Sequence, residues 1–192
     1  MSDEARVFVA IPFPGELRGS IVRQTAELRD GHSSVRPVRE EQIHLTLRFL
    51  GDTPRSGLDA LGEAVCDAAA DASPFELRIG GVGAFPHARK PRVLWVGVER
   101  SPWLEALRGS LEDSLERLGF ERERRPFRPH VTVARVSRGR PVPDHLPDAL
   151  EAAVVRATTH VTSVALFESV LDPGGARHTV LRTCRLGSMG SD

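Results

Sequence analysis

Two histidines, each followed two positions later by a threonine, are the residues of this sequence best placed to do chemistry. They are His44 with Thr46 and His130 with Thr132, and the two pairs lie 86 positions apart. On a β-strand, residues i and i+2 point to the same side, so each pair aims one imidazole and one hydroxyl into the same space. Two facing imidazoles can act as general acid and general base near neutral pH, and the hydroxyls can hydrogen-bond phosphate oxygens. The pattern therefore predicts metal-free attack on a phosphodiester.

Apolar runs and helical spacing predict the elements that must hold these two pairs. Leucine, isoleucine and valine recur at helical spacing in four segments, and short apolar or alternating runs bounded by Gly, Pro and Asp indicate strands. The predicted helices are 15–29, 56–71, 102–118 and 145–154, the predicted strands are 7–11, 42–50, 75–82, 93–98, 129–136, 163–170 and 179–186, and the predicted loops are 52–57, 83–91 and 137–144.

The two halves of the chain repeat one order of elements. Val7 and Val93, which open two apolar strands, are also 86 positions apart, so 37 residues separate the opening valine from the histidine in each half. Two similar lobes that face each other across a pseudo-two-fold axis would bring the two His-x-Thr strands to one central cleft.

Strict alternation assigns the residues after each motif to faces. In the first strand it puts His44, Thr46 and Arg48 on one side and Ile43, Leu45 and Leu47 on the other. Phe49 and Arg135 each lie five positions after a motif histidine and are therefore predicted on the side away from it. Only a twist or a bulge would aim Arg135 at the site. Phe49 is either a core phenylalanine or a cleft aromatic that stacks on a base.

Arginines cluster around the second motif. Seven of them and one acid, Glu123, lie between positions 122 and 140. A local basic stripe beside two histidines favours a polyanionic substrate such as an RNA end, although a solvated arginine-rich loop would look the same. The seven are Arg122, Arg124, Arg125, Arg128, Arg135, Arg138 and Arg140.

The segments HLTLRFLGD (44–52) and RPFRPHVTVAR (125–135) resemble the two signature strands of the 2H phosphoesterases. Within that superfamily they resemble the RNA 2′,3′-cyclic phosphodiesterases, historically named bacterial 2′-5′ RNA ligases. RVFVAIPFP, PRVLWVGV and SVALFESVLDPGGARHTVL extend the likeness over nearly the whole chain. The resemblance implies one bilobal domain over residues 1–192. It also implies an α+β fold in which antiparallel sheets of two similar lobes line a central cleft, with helices outside.

The same resemblance implies the reaction and the residues that perform it. A 2′,3′-cyclic phosphate would be hydrolysed to a 2′-phosphate without metal or other cofactor, and some members reversibly ligate RNA halves through 2′-5′ bonds. His44 and His130 would be the catalytic pair, with His44 as the acid and His130 as the base. Phosphate binding would fall to Thr46, Thr132 and Arg135, and base stacking to Phe49.

Two departures from the family pattern bear on substrate preference. Pro37 stands where many members have an aromatic residue, and His178 stands where many have a tyrosine. The other histidines lie outside the motifs and are predicted on the surface or in loops; they are His32, His87, His145 and His160.

Composition bounds the remaining possibilities. The 192 residues are 40% hydrophobic, which excludes a wholly disordered chain, and 26 basic residues balance 26 acidic ones, which excludes a general polycation. Cys66 and Cys184 show no metal-ligand spacing and are predicted as reduced thiols. With no apolar run of about 18 residues and no basic leader, the expectation is a cytoplasmic monomer that acts on RNA ends with a cyclic phosphate, tRNA fragments among them.

Two other functions stay open at this level. A non-catalytic RNA- or nucleotide-binding module could use the same cleft, but it has no need of two proton-transfer groups. A metal site on His44 and His130 would need at least a third protein ligand, and no Asp, Glu or Cys falls on the inward face of either motif strand.

Overall fold

The structure is a computed structural model, described here for residues 3–29, 33–172 and 175–187, without the side chains of residues 171 and 172. The α-helices lie between groups of one to three strands along the chain. The described elements are β1 (Glu4–Pro12), α1 (Gly15–Gln24), α2 (Ala26–Arg29), β2 (Val35–Pro37), β3 (His44–Pro54), α3 (Leu58–Ala70), β4 (Phe75–Phe85), β5 (Val93–Val98), α4 (Pro102–Arg117), β6 (His130–Val136), α5 (Leu146–Ala152), β7 (Arg156–Val161), β8 (Ser163–Asp172) and β9 (Gly175–Arg185).

Two antiparallel sheets carry the predicted internal repeat. The first sheet has the order β3-β1-β8-β9 and the second has β6-β5-β4-β7, with β2 added beside β6. In each sheet, the first strand of the repeat, β1 or β5, therefore lies between a His-x-Thr strand and a strand from the other half of the chain. The strands β3 and β6 contact each other where the sheets meet. The expected fold class, α+β with two similar lobes and antiparallel sheets, is confirmed.

The core lies behind the sheets, on the faces turned away from the cleft. Strand β1 buries Val9 and Ile11 on that side, and β5 alternates with Leu94 and Val96 completely buried. Helix α3 packs against β8, β9 and α4, while α1 contacts β7 and α5 contacts β4. The apolar stripes predicted for the helices are thus the surfaces that cover the sheets.

Several predicted boundaries differ from the observed ones for local reasons. The helix predicted over 15–29 is interrupted at Thr25, whose hydroxyl donates to the carbonyl of Ile21 at 2.7 Å and competes with the helical pattern. Strands β2 and β7 were missed because one has only three residues and the other is a mostly polar edge strand. The predicted loops 52–57 and 83–91 begin inside strands, since β3 runs to Pro54 and β4 to Phe85.

The prediction of two reduced thiols is wrong. Cys66 on α3 and Cys184 on β9 form a disulfide across 118 positions of sequence, with their Cα atoms 4.7 Å apart. Sequence spacing could not reveal this bond, because the two cysteines meet only when α3 packs against the outer side of β9.

Candidate active site

A cleft of about 940 Å³ lies between the two sheets, and all six residues expected at the site line it. They come from the two motif strands, with His44, Thr46 and Phe49 on β3 and His130, Thr132 and Arg135 on β6. The other lining residues are Arg6, Val7, Phe8, Arg36, Pro37, Val38, Arg39, Gln42, Val93, Ser169, Gly175, Ala176 and His178.

A β-bulge in each motif strand explains how Phe49 and Arg135 reach the cleft. In β6 the register jumps from Thr132 to Ala134, so Val133 has no partner on β5. In β3 it jumps from Thr46 to Arg48, so Leu47 has no partner on β1. An unpaired residue resets the alternation of faces beyond it. Leu47 and Val133 are equivalent in the 86-residue repeat, so the bulge occurs at the same position in both lobes.

The bulge also corrects the expected position of Arg48. Alternation put its side chain in the cleft, but beyond Leu47 it turns away and lies among acids near α4. Its guanidinium is 3.3 Å from Glu112 and 3.8 Å from Glu123, and it donates to the carbonyl of Glu121. Arg48 therefore ties the first motif strand to α4 and to the segment that leads into the second motif.

Buried hydrogen bonds hold the bulge of β6 in place. The carbonyl of Val133 accepts from the backbone N–H of Val38 at 2.9 Å and from the buried guanidinium of Arg29 at 3.2 Å. The same guanidinium donates to the carbonyl of Val38 at 2.7 Å. Because its carbonyl is fully occupied, the unpaired residue costs little, and Arg135 two positions later is fixed toward the cleft.

His44 packs against aromatic side chains, and a hydrogen bond fixes one of its ring nitrogens. Its ring stacks on Phe8 at a centroid distance of 5.0 Å and lies 5.8 Å from Phe167. Its Nδ1 is 2.7 Å from the carbonyl oxygen of Gln42, which can only accept, so Nδ1 carries the proton. Its Nε2 is 3.1 Å from the hydroxyl of Thr46. The reactive nitrogen thus lies beside the hydroxyl predicted to bind phosphate.

His130 repeats this arrangement in the other lobe. Its Nδ1 is 2.7 Å from the carbonyl oxygen of Arg128, two positions earlier, as Gln42 is for His44. Phe85 meets the ring edge-on at 5.0 Å, and Trp95 is 6.4 Å away. Each imidazole therefore has Nδ1 on a backbone carbonyl and keeps Nε2 for chemistry.

His178 is the third imidazole of the cleft, and it lies against His44. The two rings meet edge-on at 5.3 Å, and His178 also contacts Phe8 at 4.9 Å. Burial and, after it, the charges of His178, Arg135 and His130 lower the pKa of His44 to about 4, although the hydrogen bond to Gln42 acts in the opposite direction. Burial and Arg135 also lower the pKa of His178. In the free protein at neutral pH, His44 is therefore neutral.

The cations of the cleft come largely from outside the predicted arginine stripe. Of the seven arginines between 122 and 140, only Arg135 lines the cleft. Arg122 pairs with Asp113 and Glu116, and Arg125 pairs with Glu123. No acid is among the described residues that line the cleft, and its other arginines are Arg6, Arg36 and Arg39. The stripe therefore contributes only Arg135 to the lining of the cleft.

Sequence reasoning missed residues whose position depends on strand pairing. Arg36 reaches the cleft because β2 pairs with β6, and β2 was not predicted. Arg6 shares a face of β1 with Phe8, a signal that was present in the alternation of that strand. Pro37, one of the two departures, lines the cleft from an edge strand, where a missing N–H costs nothing.

The remaining histidines lie away from the cleft. His87, His145 and His160 are exposed and do not line it, as predicted, while His32 lies outside the described residues. Within residues 3–29, 33–172 and 175–187 there is no group of three or more His, Cys, Asp or Glu side chains that could hold a metal ion. No helix in that part of the chain is long and apolar enough to cross a membrane.

Proteins of known sequence and structure resemble this chain over nearly its whole length. An RNA 2′,3′-cyclic phosphodiesterase of Archaeoglobus fulgidus is 37% identical over 92% of this chain and 98% of its own. One of Methanothermobacter thermautotrophicus is 34% identical over 95% and 100%. A third, of Geobacillus stearothermophilus, is 32% identical over 94% of this chain, which spans only 57% of that relative.

Solved structures agree with the sequence relatives. A crystal structure of a Thermus thermophilus protein superposes with a TM-score of 0.81 at 30% identity, covering 95% of this chain and 98% of that one. E. coli LigT complexed with 3′-AMP gives a TM-score of 0.74 at 28% identity, covering 95% and 98%. Residues 16–173 match the 2′-5′ RNA ligase superfamily. The chain therefore belongs to the 2′-5′ RNA ligase superfamily, as the resemblance of its two His-x-Thr strands predicted.

Proposed function

We propose that this protein hydrolyses the 2′,3′-cyclic phosphate ends of RNA to 2′-phosphates by acid–base catalysis with His44 and His130, without a metal. The observation that carries the proposal is the matched pair of imidazoles in one cleft. Each has Nδ1 fixed on the carbonyl two positions earlier, at 2.7 Å in both lobes, and each is followed by a threonine that lines the same cleft. A binding module has no need of two such groups.

The reaction needs one proton removed and one supplied. One imidazole takes a proton from the water that attacks phosphorus, and the bond from phosphorus to the 3′ oxygen breaks. The other imidazole gives a proton to that leaving oxygen. Thr46, Thr132 and Arg135 hydrogen-bond the phosphate oxygens as negative charge grows on them. The same residues can use the 5′-hydroxyl of a second RNA in place of water: its oxygen bonds to phosphorus, the bond to the 3′ oxygen breaks, and a 2′-5′ linkage results. Ligation of RNA halves in this way is part of the proposal as a minor activity.

The names of the relatives support RNA as the substrate, and Phe49 supplies a place for the terminal base. Its side chain is 60% exposed in the cleft, with its ring 5.6 Å from that of Phe8. An exposed phenylalanine beside a phosphate site offers a stacking surface for any of the four bases. We propose a monomer acting on RNA ends, among them tRNA fragments.

The order of acid and base follows the resemblance, with a condition that the pKa of His44 adds. For His44 to be the acid, its Nε2 must carry a proton, yet in the free protein its pKa is about 4. The cyclic phosphate carries one negative charge, and that charge beside the ring favours the protonated form of His44 and raises this pKa. We therefore propose that binding of the substrate stabilises the protonated form of His44, which then donates its proton. His130 activates water.

A cleavage assay on a short RNA with a 2′,3′-cyclic end tests the activity. We expect the wild type to form a 2′-phosphate in the presence of EDTA, and His44→Ala and His130→Ala each to lose on the order of 10²-fold or more in kcat. His160→Ala, on the exposed face of β7, is the matched control. If the folded wild type binds this RNA without converting it, the site is a binding module, and if EDTA abolishes conversion, the chemistry needs a metal.

A substrate with sulfur in place of the 3′ bridging oxygen tests which histidine is the acid and which is the base. A thiolate leaves without a proton, so the variant that lacks the acid should recover most of its activity on this substrate. We expect recovery for His44→Ala and none for His130→Ala. Recovery of His130→Ala instead would reverse the two roles and leave the rest of the proposal intact.

A further inference from the structure

Two arginines stand directly opposite each other on neighbouring strands at the cleft. Arg36 on β2 is the register partner of Arg135 on β6, and residues directly opposite in an antiparallel pair point to the same side. Both side chains are exposed and both line the cleft. Like charges in this arrangement repel and destabilise the strand pair. Their juxtaposition is explained if an anion lies between or beside them.

The two arginines present positive charge to the cleft. Within the described part of the chain, neither Arg36 nor Arg135 has an ion-pair partner, whereas the other cleft arginine of this segment, Arg39, is 3.7 Å from Glu41. No acid is among the described residues that line the cleft. A pair left with its full charge facing a cleft attracts anionic groups.

The backbone that carries Arg36 is held firmly. The residues just after it are bonded to the bulge of β6, because the N–H of Val38 and the guanidinium of Arg29 both donate to the carbonyl of Val133, and Arg29 also donates to the carbonyl of Val38. The same bonds fix Arg135 beyond the bulge. The spacing of the two arginines is therefore built into the fold, as a binding site for phosphate requires.

The cleft is also larger than one nucleotide requires. Its volume of about 940 Å³ is at the upper end of the range for small-molecule sites, roughly 300–1,000 Å³. When the terminal base stacks on Phe49 and the cyclic phosphate lies between the two histidines, one arginine of the pair has no group of the terminal nucleotide to bind. Arg135 is assigned to the cyclic phosphate, so the additional cation is Arg36.

We propose that Arg36 binds the phosphodiester that joins the terminal nucleotide to the nucleotide before it. The substrate class is then an oligoribonucleotide with a cyclic end, and a cyclic mononucleotide is a poor substrate because it has no second phosphate. This inference rests on the proposed function and specifies its substrate.

Kinetics on two substrates that differ by one nucleotide test the inference. The probes are adenosine 2′,3′-cyclic phosphate and the adenylyl dinucleotide that ends in the same group. A charge-assisted hydrogen bond is worth about 1.5–3 kcal/mol, so we expect wild-type kcat/KM to favour the dinucleotide by about 10- to 150-fold. Arg36→Gln should lose most of that preference, while Arg36→Lys should retain part of it.

Arg124→Gln is the control for loss of one positive charge near the second motif. Arg124 is exposed and does not line the cleft, so this variant should keep the preference of the wild type. The slope of log kcat/KM for the dinucleotide against log salt should also become shallower by about 1 in Arg36→Gln. Far-UV circular dichroism and the thermal midpoint verify that the variants fold.

The possible failures are distinguishable from one another. If the wild type cleaves both substrates with equal kcat/KM, the second phosphate site is refuted and the proposed function stands. If Arg36→Gln loses equally on both substrates, Arg36 acts on the cyclic phosphate and the inference is wrong. If the folded wild type cleaves neither substrate nor a longer RNA with a cyclic end, the proposed function itself fails.

Discussion

His44 and His130 occupy equivalent positions in the repeat, yet their surroundings differ. Both fix Nδ1 on a carbonyl at 2.7 Å, but His44 stacks on the buried Phe8 and lies against a third imidazole, whereas His130 meets the edges of Phe85 and Trp95. Burial and the neighbouring charges are the causes that lower the pKa of His44. The asymmetry of the two lobes is therefore concentrated around His44.

His178→Phe should raise the pKa of His44. After burial, the charge of His178 is the largest cause of the lowered pKa, and phenylalanine keeps the ring contact while removing that charge. Burial remains, so the pKa should rise from about 4 yet stay below 6.5. The ring-proton chemical shift of His44 followed against pH by NMR measures this directly.

The control for this titration is His160→Phe, which changes an exposed histidine outside the cleft and should leave the titration of His44 unchanged. An unchanged pKa of His44 in His178→Phe would mean that His178 has no part in lowering it and that burial, Arg135 and His130 account for the shift. The identity of His178 was noticed in the sequence as a departure from the family pattern. Its contact with His44 was not predictable, because it depends on how β9 pairs with β8 at the cleft.

At the scale of the element, the sequence predicted strands well and their irregularities poorly. Alternation located β3 and β6 and paired each histidine with its threonine on one face, and an apolar run located β5. It failed beyond Leu47 and Val133, because a bulge leaves no mark in the hydrophobic pattern when the unpaired residue is itself apolar. Phe49 and Arg135 were expected at the site only through the family resemblance, and Arg48 was assigned to the wrong face.

Arg48→Met separates the observed bulge from strict alternation. In the bulged strand Arg48 is mostly buried against Glu112, which keeps a second partner in Arg108 at 3.1 Å. Removing one partner of a buried carboxylate should lower the free energy of unfolding by about 1–3 kcal/mol, as measured by urea denaturation. The kcat of the remaining folded enzyme should be close to that of the wild type, because Arg48 does not line the cleft.

Arg55→Met provides the comparison for Arg48→Met. Arg55 pairs with Glu168 with its side chain half-exposed, so its removal should cost less than about 1 kcal/mol. The bulge would be contradicted if Arg48→Met lost activity with unchanged stability, since that result would place the guanidinium in the cleft as alternation predicts.

At the scale of the whole molecule, each half of the chain contributes two strands to the sheet of the other half. Strands β2 and β4 lie in the sheet with β5 and β6, and β8 and β9 lie in the sheet with β1 and β3. The 86-residue repeat predicted two lobes but not this exchange, because periodicity does not reveal which strands pair. The exchange joins the two sheets, and the disulfide adds a further bond between α3 from the first half and β9 from the second.

Reduction of this disulfide should destabilise the protein. The bond closes a loop of 118 positions, and a cross-link over so long a loop restricts the unfolded chain strongly. We expect dithiothreitol to lower the free energy of unfolding by about 2–5 kcal/mol in urea denaturation. The double variant Cys66→Ala, Cys184→Ala should have the lower stability in both buffers and should not respond to dithiothreitol.

Thiol titration of the denatured, unreduced wild type should detect no free cysteine. Two titratable thiols, with equal stability in both buffers, would instead mean that the cysteines are reduced as the sequence alone predicted, and that packing of α3 on β9 holds this edge of the sheet without a covalent bond.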